Sequence, residues 1–103
     1  MRKITQDSIN AFLNQQKFYR DNTSVEVLPN VTILKLFGNK IAYLYNNPQK
    51  TLSITNCSWF TNTTKDRLNA LPNVHIQQKT IKGKKEWYLN NKEWNGELID
   101  IKK

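Results

Sequence analysis

The residues of this chain best suited to proton transfer or nucleophilic attack are a single histidine, His75, and a single cysteine, Cys57. A thiol nucleophile needs a base within hydrogen-bond reach and a third group to orient that base. A zinc site needs three or four Cys, His or carboxylate ligands. One histidine and one cysteine supply neither. His75 stands between Val74 and Ile76, where it reads as a half-exposed strand residue. The carboxylates Asp66, Glu86, Glu93, Glu97 and Asp100 are scattered without a paired spacing. Three glycines spread along the chain form no phosphate-cradling loop. The expectation is a protein that is not an enzyme and carries no metal or cofactor.

Binding chemistry is better represented. Lys79, Lys82, Lys84 and Lys85 crowd one short stretch, Lys92 follows closely, and Trp87 and Tyr88 lie between. Lysines neutralise phosphates and release counterions, while aromatic faces stack on unpaired bases. In a strand Trp87 and Tyr88 point to opposite faces, so one belongs to the core and the other to the surface. The candidate contact residues are therefore Lys79, Lys82, Lys84, Lys85, Tyr88 and Lys92, with Arg67 from the preceding segment. Asn69, His75 and Gln77 are further polar groups expected on the surface. The bland alternative is a solvated hairpin tip whose lysines discourage edge-to-edge pairing. Three arginines among 16 basic residues are few for base-specific duplex readout, which uses arginine forks. Single-strand and backbone recognition fits the composition better. Arg2, Lys3, Lys17 and Arg20 form a second basic set around the first expected helix.

These residues need elements to hold them. A length of 103 residues suits one domain with one modest core, so residues 1–103 are read as a single unit. The net charge is +8, which gives a positive surface potential attractive to phosphate polymers or acidic faces. No apolar run approaches a membrane span, and one cysteine allows no internal disulfide, so a cytoplasmic protein with no membrane partner is expected. Thr5–Ser8 before Ile9, Phe12 and Leu13 predicts an N-capped helix to about Lys17. Arg20–Thr23 reads as a polar link. Strands are expected over Ser24–Leu28, Val31–Phe37, Ile41–Tyr45 and Thr51–Asn56, as a three- or four-stranded meander.

A second helix is expected from Thr61 to Leu71, with Thr63 as cap, Asp66 in the reciprocal capping position and Pro72 as terminator. Val74–Thr80 and Glu86–Leu89 then flank a basic turn, Lys82–Lys85. Asn90-Asn91 suits a tight hairpin turn, Lys92–Trp94 would pair back, and Leu98–Ile101 would form a last edge strand. The fold class is α+β: an antiparallel sheet of five to seven strands with two short helices.

From Thr61 to Lys79 and again from Trp87 to Gly96, the chain resembles a family of short bacteriophage and prophage proteins. The shared pattern reads TNTT-K-x-RLN-x-LP-x-V, then WYLNG-x-x-W-D/N-G. This chain departs from it at Ala70 and Asn91, where glycine is common. The resemblance implies a mobile-element origin and an α+β domain, and it carries no catalytic residue. For a small basic phage protein the leading expectation is an anti-CRISPR-type inhibitor of a host defence ribonucleoprotein, acting on the effector or its guide RNA. The alternative is direct single-stranded nucleic-acid binding in phage replication or gene regulation. The expected partner is thus RNA or a nucleic-acid-bound host protein complex.

Overall fold

Runs of β-branched and aromatic residues broken by two-residue turns fold back on themselves, because each such turn matches the twist of the strands it joins. The computed structural model describes residues 2–101. It begins with helix α1 (Lys3–Leu13), followed by strands β1 (Phe18–Arg20), β2 (Thr23–Val27), β3 (Val31–Leu36), β4 (Asn39–Tyr45) and β5 (Leu52–Ile54). Helix α2 (Asn62–Asn69) leads into β6 (Ile76–Ile81), β7 (Lys84–Leu89), β8 (Lys92–Trp94) and β9 (Ile99–Ile101). The strands form a six-stranded sheet in the order β1-β2-β3-β4-β5-β9 and a three-stranded sheet β6-β7-β8, every pairing antiparallel.

The fold is α+β, as expected, with more strands than expected and two sheets in place of one. The last strand is real, but it crosses away from β8 to pair with β5. A further strand, β1, occupies part of what reads as a link; it forms because Asp21 takes a left-handed φ of 51° and turns the chain sharply into β2.

Helix α1 differs from its expected form at both ends. It starts at Lys3 without a side-chain cap, and Thr5 and Ser8 are buried inside it. Those two polar residues read as a cap because their types suit one. Here the Ser8 hydroxyl donates to the Thr5 carbonyl, and Thr5 meets α2. The helix stops at Leu13 because Gln15 adopts a φ of 55°, while the Gln15 and Gln16 amides donate back to the Phe12 and Ala11 carbonyls. That is the double closure of a Schellman motif.

In α2 the cap is Thr61, not Thr63: its side chain accepts the Thr64 amide at 3.2 Å, and the two threonine hydroxyls lie 3.0 Å apart. Asp66 faces α1 and Arg67 instead of the helix start.

One cluster of buried residues runs through both sheets and both helices, from Ile9 and Phe12 through Leu34, Ile41 and Ile54 to Leu68, Trp87 and Trp94. Between the Leu34–Ala42 and Lys35–Lys40 pairs, Ile41 is the extra residue of a bulge on β4, and both Ile41 and Ala42 are buried there. Of the adjacent pair on β7, Trp87 is core and Tyr88 is half-exposed. The Asn90-Asn91 turn has φ angles of 50° and 71°, the left-handed pair that a type I′ hairpin requires.

Candidate nucleic-acid interface

The lysine segment becomes an arm. β6 and β7 pair from Ile76–Leu89 out to Ile81–Lys84 and close through Lys82-Gly83, with φ angles of 50° and 79°. The base is anchored, since Ile76, Trp87 and Leu89 are buried and Trp94 of β8 pairs with Trp87. Beyond that base, every residue from Gln77 to Lys85 is exposed. The turn itself is shorter than Lys82–Lys85, because Lys84 and Lys85 belong to β7.

Alternation sorts the arm's side chains. Lys79, Lys84, Glu86 and Tyr88 share the face turned away from the core, while Thr80 and Lys85 extend the core-side face past the core's edge. Lys79 Nζ sits 4.7 Å from the centre of the Tyr88 ring, a cation–π contact that positions a charge above an aromatic face. Lys92 is exposed opposite Leu89. None of Lys79, Lys82, Lys84, Lys85 or Lys92 makes an ion pair with a described residue.

The second basic set behaves differently. Arg20 holds Asp7 at 2.9 Å, Lys3 approaches the same carboxylate at 3.5 Å, and Arg2 lies 3.8 Å from Asp66. The hydrogen bond from Arg20, with Lys3 beside it, holds the Asp7 carboxyl below its ordinary pKa, against a smaller opposing effect of burial. Much of this charge is already answered inside the protein, whereas the arm's lysines remain available to a partner.

Arg67, which its sequence context places on the surface as a contact residue, is instead buried, with 1% of its side chain exposed. Its Nε donates to Thr23 Oγ1 at 3.1 Å and its Nη1 to Asp66 Oδ2 at 2.8 Å and to Thr5 Oγ1. Burial lowers its pKa and the Asp66 charge opposes that shift. The reason is geometric: α2 lies across α1 and the sheet, and the arginine at position 67 points into that three-way junction. Asn69 is also committed to structure. Its side-chain amide clasps Ile76 by accepting the Ile76 amide at 2.6 Å and donating to the Ile76 carbonyl at 3.2 Å. His75 and Gln77 are exposed, their side chains 3.2 Å apart, and His75 sits beside the arm with no carboxylate partner among the described residues.

Two aromatic residues escaped the sequence reading. Phe37 and Trp59 are 71% and 55% exposed, and both line a cleft of about 390 Å³ together with the buried Leu36 and Ile41. Asn39 and three threonines at the start of α2 complete its walls. The available signal was Phe37-Gly38 at the β3–β4 turn, where an aromatic stands at a position that favours asparagine or glycine.

Chemically, the arrangement offers ammonium groups on both faces and at the tip of the arm, one of them over an aromatic ring, and an aromatic cleft. Among the described residues no group of three or more His, Cys, Asp and Glu is placed to hold a metal ion, and no helix is long and apolar enough to cross a membrane. Fold and surface thus define a small antiparallel α+β protein that presents a basic hairpin arm. The family model for the Kyanoviridae Gp96 protein matches residues 1–100, and the chain belongs to that phage protein family. Neither a search of curated proteins nor a search of solved structures found a match.

Proposed function

We propose that this phage-family protein is a non-enzymatic binder of nucleic acid that holds phosphates along the β6–β7 arm. The observation that supports this most directly is the set of four arm lysines, all exposed and none ion-paired with a described residue, with Tyr88 beneath Lys79. A lysine that has no internal counterion gives up little when it meets a phosphate, and the counterions released from the nucleic acid drive the association. Scarcity of exposed arginine argues for backbone and single-strand contacts over duplex sequence reading. Inhibition of a host defence ribonucleoprotein would use the same arm through the guide RNA. No structural feature singles out that target among RNA carriers, so nucleic-acid binding is the stronger reading.

The test is fluorescence anisotropy of labelled single-stranded RNA, single-stranded DNA and duplex DNA across a salt series. Each single-strand phosphate contact contributes about −0.7 to the slope of log K against log salt. Replacing Lys79, Lys82, Lys84 and Lys85 by Ala should flatten that slope by roughly 2–3 and weaken binding about equally for different sequences. Binding that is absent near physiological salt, or that survives the fourfold replacement unchanged, would rule this function out.

A further inference from the structure

We propose that the cleft lined by Phe37 and Trp59 seats an unpaired nucleobase of the strand whose phosphates lie along the arm, an inference that rests on the nucleic-acid reading above. The first support is strain retained at the surface. Phe37 has a φ of 53°, and in the loop that carries Trp59 both Cys57 and Ser58 are left-handed, at 51° and 67°. Bulky side chains avoid that region, and where they persist in it the site is commonly functional.

Neither ring gains burial in compensation, since both are more than half exposed. The Trp59 loop is nonetheless firmly tied. The Trp59 amide donates to the Asn56 carbonyl at 2.8 Å, the Ser58 amide to Asn56 Oδ1 at 2.8 Å, and the Cys57 amide to Thr55 Oγ1 at 3.2 Å. A rigid, strained scaffold that presents an exposed ring is suited to binding and adds nothing to the core.

The chemistry of the walls favours a base. Leu36 and Ile41 supply aliphatic contact and the two rings supply stacking faces. The side chains of Asn39 and Thr63 have no hydrogen-bond partner among the described residues, which leaves them available to a base edge. Among the described residues no acidic side chain lines the cleft, and Lys65 follows the lining residue Thr64 on α2.

A chain of contacts links the Trp59 loop to the base of the arm. Phe60, next to Trp59, meets Trp87 edge-on at 5.1 Å, and Trp87 Nε1 donates to Gln78 Oε1 at 3.3 Å. Lys65 Nζ reaches the same Gln78 oxygen at 3.5 Å and lies 6.0 Å from the Trp87 ring centre. A strand held at the tip by Lys82 and along the core-side face by Lys85 can therefore run past Lys65 toward the cleft. A second copy of this chain is a poor occupant, because two +8 molecules repel.

The test compares a short single strand of ordinary nucleotides with a strand of equal length and charge made of abasic residues, against the full-length protein. Anisotropy gives affinity, and quenching of intrinsic fluorescence by a bound base reports chiefly Trp59, since Trp87 and Trp94 are buried away from the ligand. The base-bearing strand should bind roughly tenfold more tightly, the scale of one base–aromatic stack, and should quench the tryptophan signal. Phe37→Asn creates Asn-Gly, the most favourable two-residue hairpin turn. The variant should unfold at the same or a higher temperature and lose the preference for bases. Equal, lysine-dependent affinity for both strands would overturn the base site while leaving the arm reading intact. Binding of neither strand would overturn both and point to an apolar side chain of a protein partner as the occupant.

Discussion

Removal of the Arg67 guanidinium tests whether the junction between the helices and the sheet is built around it. In Arg67→Ala, Asp66 loses its closest cation, with only Arg2 remaining at 3.8 Å. Thr23 and Thr5 lose a charged donor, and the deleted side chain leaves a void where almost no solvent reaches. Breaking one side of a buried, hydrogen-bonded ion pair costs about 3–5 kcal/mol. Here the lower half of that range applies, because 29% of the Asp66 side chain is exposed and water can replace part of the interaction. Against a total stability of roughly 5–15 kcal/mol, that is a large fraction.

At about 4–8 °C per kcal/mol for a domain near this size, the melting temperature should fall by at least about 12 °C. Arg67→Met keeps most of the volume and should cost less, about 1–3 kcal/mol. The assay is urea and thermal unfolding followed by circular dichroism and tryptophan fluorescence, with nucleic-acid affinity measured on the folded fraction. The reasoning is refuted if Arg67→Ala unfolds within about 1 kcal/mol of the parent, or if it weakens nucleic-acid binding without a loss of stability.

Gly96 has a φ of 90°, and a Cβ there would land on the buried side-chain amide of Asn56, well inside van der Waals contact. Gly96→Ala should destabilise by about 2–5 kcal/mol, combining left-handed strain with overpacking; an unchanged urea midpoint would show that Asn56 yields without cost. Burial raises the Cys57 thiol pKa, so its share of stability is complete below the free-thiol pKa and falls as pH rises through the raised value. Its alkylation rate should therefore climb at a higher pH than that of a free thiol, and a profile matching glutathione would contradict the burial.

The sequence made some parts of this fold legible and hid others for physical reasons. Asn90-Asn91 and Lys82-Gly83 announced hairpins because few residues tolerate a left-handed backbone. Trp87 and Tyr88 separated into core and surface because strand alternation is strict. The lysine arm was visible because four cations within seven residues stand out in any conformation. Arg67 was misplaced because its burial depends on Thr5 and Thr23, 62 and 44 residues away, and local pattern carries no such information. Thr5 and Ser8 misled in the same way: types that favour a cap also serve as buried hydrogen-bonding groups, Thr5 for the distant arginine and Ser8 for the Thr5 carbonyl. The Phe37–Trp59 cleft joins residues from a turn and a loop that only the folded sheet brings together.

The pairing of β5 with β9 has a consequence for the order in which the chain assembles. Ser53 and Asp100, joined by a hydrogen bond across that ladder, are separated by 47 positions. Closing so long a loop costs roughly 3 kcal/mol of chain entropy beyond a constant, and a three-residue ladder returns little of it alone. The β1–β5 meander and the β6–β8 hairpins are both local in sequence and can form without waiting for this contact. Strand β9 is then the element that zips last and peels first. The small sheet that bears the arm sits inside the loop that β5 and β9 close, so the latest-forming ladder also ties the end of the arm's sheet back to the main one.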